Sequence, residues 1–251
     1  MANQYFVFRQ IPEVDTEFTV ENETAVHHIF TVMRAERGEK LQFAFDEGKV
    51  GIVEVVDPVN HTVKLVDSAV NPTELPVHVT VAVGFPKGDK LDFITEKSTE
   101  LGASEIWAAP FQWSVAKWDS KKLAKKQEKL EKIARGAAEQ SRRQLIPSVS
   151  LFDKLSELTD TFSEFDHVLI AYEESAKAGE RSILGQTLAS MTTGQRILII
   201  FGPEGGISAN EIELFERNGG QKIGLGPRIM RAETAPLYAL SAISTYFELL
   251  K

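Results

Sequence analysis

The chain has 251 residues, a net charge of −8, 43% hydrophobic and 25% charged residues, and no cysteine. That length holds a sizeable core and one or two domains. The acidic balance argues against bulk affinity for nucleic acid, and the missing cysteine excludes disulfides, thiolate metal sites and cysteine-nucleophile chemistry. The first residues lack a basic stretch followed by an apolar one, and no apolar run approaches membrane-spanning length, so a cytoplasmic protein with no membrane partner is expected. The five histidines have no metal-ligand spacing, and no metal is expected.

Residues 1–70 alternate in short segments: Tyr5–Phe8, Leu41–Phe45, Val50–Val56 and Thr62–Val66 read as strands, with one helical stretch over Glu23–Arg34. Turn signals fall at Glu47-Gly48 and Asp57-Pro58. A small barrel-like β domain over 1–71 is expected. Asn71-Pro72-Thr73-Glu74-Leu75-Pro76 is the best linker, since two prolines bracket a short polar stretch.

A second domain, 77–251, then alternates strand and helix. Val77–Phe85 reads as a strand and Lys87–Leu101 as a helix with Leu91, Ile94 and Leu101 on one face, stopped by Gly102. Ile106–Ala109 reads as a strand and Ser120–Arg142 as a long helix with Leu123, Leu130, Ile133 and Ala137 facing inward. His167–Tyr172 and Ile197–Phe201 read as buried strands, and Glu233–Leu250 closes the chain as a helix that tolerates Pro236 in its first turn. Such alternation implies an α/β fold, a parallel sheet flanked by helices.

Charge is uneven along the chain. Residues 1–75 carry 6 Lys and Arg against 13 Asp and Glu; residues 117–143 carry 10 against 4. In the long helix, lysines recur at 121, 122, 125, 126, 129 and 132, opposite the apolar stripe. The run reads as a solvated helix face or as a surface that contacts phosphates. Trp113, Lys117 and Trp118 lie just upstream; aromatics beside cations suit unstacked RNA bases or an ordinary core rim.

Two glycine-bearing loops carry the strongest functional signal. Gly202-Pro203-Glu204-Gly205-Gly206 follows the apolar run Arg196–Ile200 and Phe201, and Ser208-Ala209-Asn210-Glu211 then reads as a capping box opening a helix. Leu225-Gly226-Pro227-Arg228-Ile229-Met230-Arg231-Ala232-Glu233-Thr234-Ala235 precedes the last helix. Neither loop is a phosphate cradle or a dinucleotide fingerprint, and Glu204 would repel a phosphate. A carboxylate there suits a neutral or cationic ligand. Ordinary turns after buried strands are the competing reading of either loop alone; two within one short stretch favour binding.

These two loops resemble those of the RsmE family of ribosomal RNA uracil-N3 methyltransferases, in the SPOUT (trefoil-knot) superfamily. Lys87-Gly88-Asp89-Lys90, Glu96-Lys97-Ser98-Thr99-Glu100-Leu101-Gly102 and Glu139-Gln140-Ser141-Arg142-Arg143 before Ile146-Pro147 agree, in order, so the resemblance covers nearly the whole chain. It implies a trefoil-knotted parallel sheet with helices on both faces, preceded by a PUA-like β-barrel. It implies S-adenosylmethionine as cofactor, N3 of a uridine in 16S ribosomal RNA of the small ribosomal subunit as acceptor, and a homodimer. Toward the cofactor it points to Ala171, Tyr172, Gly202, Pro203, Glu204 and Gly206, and to Leu225, Gly226, Ile229, Met230, Arg231, Thr234 and Ala235. Lys87, Lys97, Arg142 and Arg143 would hold RNA. Arg231 would polarise a uracil carbonyl, or pair with Glu233. Glu204 would orient the cofactor or accept a proton, or hold the loop. The chain departs from the family at Trp113, where arginine is common. Two other readings remain: a SPOUT methyltransferase acting on another base or a ribose 2′-hydroxyl, and a non-catalytic RNA-binding assembly factor.

Overall fold

The structure, a computed structural model, describes residues 4–68, 72–177 and 183–251. Residues 1–3 and 69–71, which include Asn71 of the expected linker and the end of the expected 1–71 domain, lie outside the described residues. The chain forms two compact units. One runs to Glu74 and takes in Ala138–Leu145; the other holds Leu75–Ala137 and Ile146–Lys251.

In the first unit, strands β1 (Gln4–Phe6), β2 (Glu17–Thr19), β3 (Lys40–Ala44), β4 (Val50–Asp57) and β5 (Thr62–Asp67) form one sheet in the order β1-β3-β4-β5-β2. β1 runs parallel to β3, and the other pairs are antiparallel. Phe43, Val53, Val55, Val63 and Leu65 are fully buried in one core, because alternate residues of a strand share a face. Helix α1 (Glu23–Val26) starts where the Asn22 side chain accepts the Thr24 and Ala25 amides, at 3.1 and 3.2 Å. It widens into a π-helical turn over His27–Val32 that sets Ile29 into the same core. No periodicity marks β2, whose three residues bury only Phe18 and are too few to show alternation.

The Ala138–Leu145 segment joins this unit through polar bonds that no periodicity announces. Arg143 Nε donates to both carboxylate oxygens of Glu74, each at 2.9 Å. Glu74 also accepts the Gln144 amide at 2.7 Å, and the Thr73 hydroxyl donates to the Arg142 carbonyl at 3.0 Å. The Gln4 side chain donates to the Arg143 carbonyl. The expected division at 1–71 and 77–251 therefore needs this later segment added to its first part.

The second unit begins with β6 (His78–Gly84), α2 (Lys90–Glu100), β7 (Glu105–Ala109), α3 (Ser120–Gln140) and β8 (Ser148–Leu151). It continues through α4 (Leu155–Asp160), β9 (His167–Ala171), α5 (Glu173–Lys177), α6 (Ile183–Ser190) and β10 (Arg196–Phe201), and ends with α7 (Ala209–Arg217), β11 (Gln221–Ile223) and α8 (Ala235–Ser244). All neighbouring strands are parallel, in the order β11-β9-β10-β6-β7-β8. The strands divide their side chains between two cores. Val79, Val81, Ile197 and Ile199 pack with Leu91, Ile94, Leu130 and Leu240 of α2, α3 and α8. Leu198, Ile200, Ile170 and Trp107 pack with Leu158, Ile212 and Phe215 on the side of α4 and α7. A sheet covered on both faces explains why β10 reads as an unbroken apolar run rather than an alternating one.

Most expected elements of this unit stand within two or three residues. The long helix stops at Gln140: Arg142 takes the left-handed conformation (φ 58°), and the Arg143 amide bonds back to the Ala138 carbonyl, a Schellman-type stop. The expected closing helix starts at Ala235 and turns π-helical over Thr245–Leu250. The short elements β8, α4, α5, α6 and β11 went unread; β11, Gln-Lys-Ile, is mostly polar and only three residues long.

Candidate active site

In a parallel sheet the carboxyl ends of the strands lie along one edge, and small molecules bind outside it. Here Phe201 of β10 and Ile223 of β11 are both in register with Ala171 of β9. Beyond these three residues opens a cavity of about 740 Å³. Its walls are the two glycine loops together with Tyr172, Glu173 and Glu174 after β9, and Lys90 and Trp113.

Backbone geometry explains the glycines. A Cβ on Gly202 would stand 2.7 Å from the Gly206 carbonyl carbon and 2.9 Å from the Ile207 side chain, so the loop closes on itself only without one. Gly226 has φ 90°, the region that favours glycine, and only the Tyr238 hydroxyl, at 3.7 Å, would approach a Cβ there. Behind the first loop, Ser208 caps α7 as its motif foretold. Glu211 returns the bond to the Ser208 amide at 2.9 Å and also accepts the Gln112 amide at 2.6 Å. This buried carboxylate thus ties the glycine loop to the turn that carries Trp113.

Of the residues the resemblance pointed to, Ala171, Tyr172, Gly202, Pro203, Glu204, Gly206, Leu225, Gly226, Ile229, Met230, Arg231 and Ala235 all line the cavity. Thr234 does not: it is the residue before α8, exposed, and its amide bonds to the Arg231 carbonyl. Sequence reasoning did not assign Lys90, Trp113, Glu173, Glu174 or Arg228 to this site, though all five line it. Lys90 stood inside a quoted motif, and Arg228 inside the second loop.

Lys90 is the electrostatic centre of the site. Its ammonium lies 2.8 Å from Glu204 of the first loop and 3.0 Å from Glu233 of the second. Hydrogen bonds that the ammonium donates to these two carboxylates push the Lys90 pKa up. Partial burial pushes Glu204 up, but hydrogen bonds from Lys90 and from backbone amides, Lys87 among them, outweigh it, and its pKa is lowered. The same balance lowers Glu233, with Arg231 adding to the effect of Lys90. These contacts count against the expectation that Glu204 accepts a proton. A carboxylate already accepting from Lys90 and from the Lys87 amide, with its pKa held down, is a poor base. Its bonds join the first loop to Lys87 and Lys90.

Of the residues expected to hold RNA, Lys87 and Lys97 are not among those that line the cavity, though the Lys87 amide donates to Glu204, which does. Arg143 is 3% exposed, and its guanidinium is committed to Glu74. It cannot grip a phosphate without breaking a buried ion pair, which corrects that assignment. Lys97 is paired with Glu96 and Glu100, each at 2.7 Å. Lys87 and Arg142 are exposed. On α3, Lys129 pairs with Asp92 and Lys132 with Glu128, while Lys121, Lys122 and Lys125 face solvent.

A parallel sheet with a glycine-framed cavity at its carboxyl edge is a small-molecule site at the place where open α/β sheets bind their ligands. The family model for the RNA methyltransferase domain matches residues 73–244. The chain is 43% identical to ribosomal RNA small subunit methyltransferase E of Bacillus subtilis (strain 168), over 97% of this chain and 95% of that one. It is 32% identical to the protein of the same name from Synechocystis, over 94% and 76%. A methyltransferase from Legionella pneumophila, solved with bound cofactor SAM, superposes with a TM-score of 0.80 at 26% identity, covering 98% of each chain. The chain belongs to the ribosomal RNA small subunit methyltransferase E family.

Proposed function

We propose that the protein transfers a methyl group from S-adenosylmethionine to N3 of a uridine in 16S ribosomal RNA of the small ribosomal subunit. The observation that carries this reading is the cavity at the ends of β9, β10 and β11, walled by two glycine loops and fastened by Lys90. Its size is within the usual range for small-molecule sites. Its walls suit the group: backbone-rich glycine loops for an adenine and ribose, carboxylates for a cation, and no cradle for phosphate. The Legionella protein's bound SAM supports the cofactor, and the Bacillus protein's name supports the acceptor class.

S-adenosylmethionine supplies an electrophilic methyl carbon. The chain's own work is to hold the cofactor, orient a uracil ring in line with it and ease loss of the N3 proton. Arg231, exposed in the cavity wall, polarises a uracil carbonyl and favours negative charge at N3. Glu233, the alternative partner of Arg231, is already paired with Lys90, which leaves the guanidinium able to turn toward substrate. The new N3–carbon bond would form as the sulfonium's methyl–sulfur bond breaks and the thioether product leaves; the N3 proton would pass to solvent water, since Glu204 and Glu233, with pKa values lowered beside Lys90, are poor acceptors.

The parallel unit is read as the trefoil-knotted SPOUT domain. In support, the chain after β10 passes to the far side of β9 to lay down β11. The first unit is read as the PUA-like β-barrel that engages RNA, and the protein as a cytoplasmic homodimer. Among the described residues no helix is long and apolar enough to cross a membrane.

The test is methyl transfer from labelled S-adenosylmethionine to small subunits lacking the modification, with the product nucleoside identified by mass spectrometry. N3-methyluridine is expected. Label on another base or on a ribose moves the acceptor and refutes the N3 assignment. No label on subunits or naked RNA refutes the catalytic reading and favours an RNA-binding assembly factor.

A further inference from the structure

Trp113 is a large aromatic ring that the fold holds half-exposed in the cavity wall. It is 46% exposed, whereas Phe111 and Ser114 on either side of its turn are buried at 4% and 8%. The turn is tied on three sides. The Ser114 amide donates to the Phe111 carbonyl at 3.0 Å, the Phe111 amide to the Ser114 hydroxyl at 3.1 Å, and the Gln112 amide to buried Glu211 at 2.6 Å. The inner side of the residue rests on the first glycine loop, where a Cβ on Gly205 would stand 2.7 Å from the Trp113 Cβ. The other two tryptophans are spent on packing: Trp107 is buried between Phe152 and Phe165, and Trp118 lies against Phe85 at a centroid distance of 4.3 Å.

A rigid turn that keeps a tryptophan out of the core leaves its apolar face short of a partner. The ring shares a cavity with Arg228 and Arg231, both exposed cations. A planar, uncharged ring with carbonyls on its edge satisfies both: its face covers the indole and its oxygens meet guanidinium donors. An unstacked nucleobase has that chemistry. N3 of uracil is on the pairing edge, so the base must leave its stack to be modified, and something must replace the lost stacking.

We infer that Trp113 is the platform on which the acceptor base stacks, a positioning residue for the RNA rather than a part of the cofactor site. This rests on the methyltransferase reading above. The inference predicts a split. Trp113→Ala leaves S-adenosylmethionine affinity within about twofold by calorimetry, and raises the KM for the RNA about 10- to 100-fold, the usual range for one lost base–aromatic stack. Trp113→Phe, which keeps a stacking face, restores most of the loss; Trp113→Leu, apolar but not planar, does not. A second readout needs no turnover: single-stranded oligouridylate quenches tryptophan fluorescence of the wild-type protein, and the quench is absent from Trp113→Phe. Equal loss of cofactor affinity in Trp113→Ala would make the ring a cofactor wall and overturn the inference. So would an unchanged KM, full rescue by leucine, or a quench that survives in Trp113→Phe. Absence of methyl transfer by the wild-type protein, with the quench intact, would instead remove the methyltransferase reading alone.

Discussion

Lys90→Met tests the electrostatic fastening of the cavity. The ammonium bridges carboxylates on two loops that are 29 residues apart in the chain (Glu204 and Glu233), at 2.8 and 3.0 Å. All three side chains are less than a third exposed, at 27%, 29% and 20%. A hydrogen bond between charged groups contributes about 1.5–3 kcal/mol when sheltered, and an exposed ion pair about 0–1. Partial exposure puts each of these contacts at roughly 1 kcal/mol, so the bridge holds the loops by about 2 kcal/mol. Methionine keeps the apolar stem but leaves two carboxylates facing each other without a cation. If the bridged arrangement is the one that takes the cofactor, apparent affinity falls with its population, by about 10- to 30-fold for 2 kcal/mol.

The assay is calorimetric titration of S-adenosylmethionine into wild-type, Lys90→Met and Lys90→Arg proteins, beside thermal unfolding. A Tm drop of about 4–8 °C should accompany the affinity loss. Arginine should recover part of both. The pH dependence follows from the shifts. Glu204 and Glu233 have lowered pKa values, so their contribution is present above the ordinary glutamate value of 4.5 and is lost as pH falls through the folded values below it. Lys90 is raised, so its contribution is present below the ordinary lysine value of 10.5 and is lost only as pH rises through the folded value above it. The bridge is therefore fully charged across neutral pH, and its contribution to affinity should be flat between about pH 6 and 9. An affinity for Lys90→Met within twofold of wild type would refute the reasoning.

The remaining expectations concern other joints. Arg143→Met strands Glu74 where a buried pair stood; it should cost about 3–5 kcal/mol and lower the unfolding midpoint of the first unit, with Arg143→Met/Glu74→Gln less harmful than the single change, as thermal or urea unfolding will show. Glu211→Ala leaves the Ser208 and Gln112 amides without their acceptor, and a loss of about 2–4 kcal/mol in urea unfolding is expected, together with weaker cofactor binding. Gly202→Ala puts a Cβ 2.7 Å from loop backbone and should weaken cofactor binding at least tenfold while leaving far-ultraviolet circular dichroism unchanged. Arg231→Ala should lower kcat by about 10²–10³ with little change in cofactor affinity; full turnover would remove Arg231 from the chemistry.

Much of the fold could be read because its signals are local. β10 is an unbroken apolar run, α3 carries an apolar stripe opposite its lysines, and Ser208 to Glu211 spells a capping box. The elements that escaped are those whose order comes from neighbours. β2 and β11 are three residues each, held by strands distant in sequence, and three residues are too few to show a strand period. The inclusion of Ala138–Leu145 in the first unit was hidden for the same reason. Its anchor, Arg143 to Glu74, joins residues 69 apart, and from charge alone Arg143 looked like an exposed cation at the end of a basic helix.

The site divides along the same line. The glycine loops were legible because close backbone approach and positive φ leave glycines in the sequence, as at Gly202 and Gly226. The groups that hold those loops were not, because each acts across a long separation. Lys90 meets Glu204 and Glu233 only once β6, β10 and the segment before α8 converge on one edge of the sheet. This also bears on the roles open to Glu204. Next to Gly205 and Gly206 in the sequence, a carboxylate is equally a base or a brace. In the fold its oxygens accept from Lys90 and from the Lys87 amide, and the pKa moves away from neutrality, where a base would need it. The brace reading follows from the partners, and with Glu204 and Glu233 both engaged by Lys90, the cations of the second loop left exposed in the cavity wall are Arg228 and Arg231.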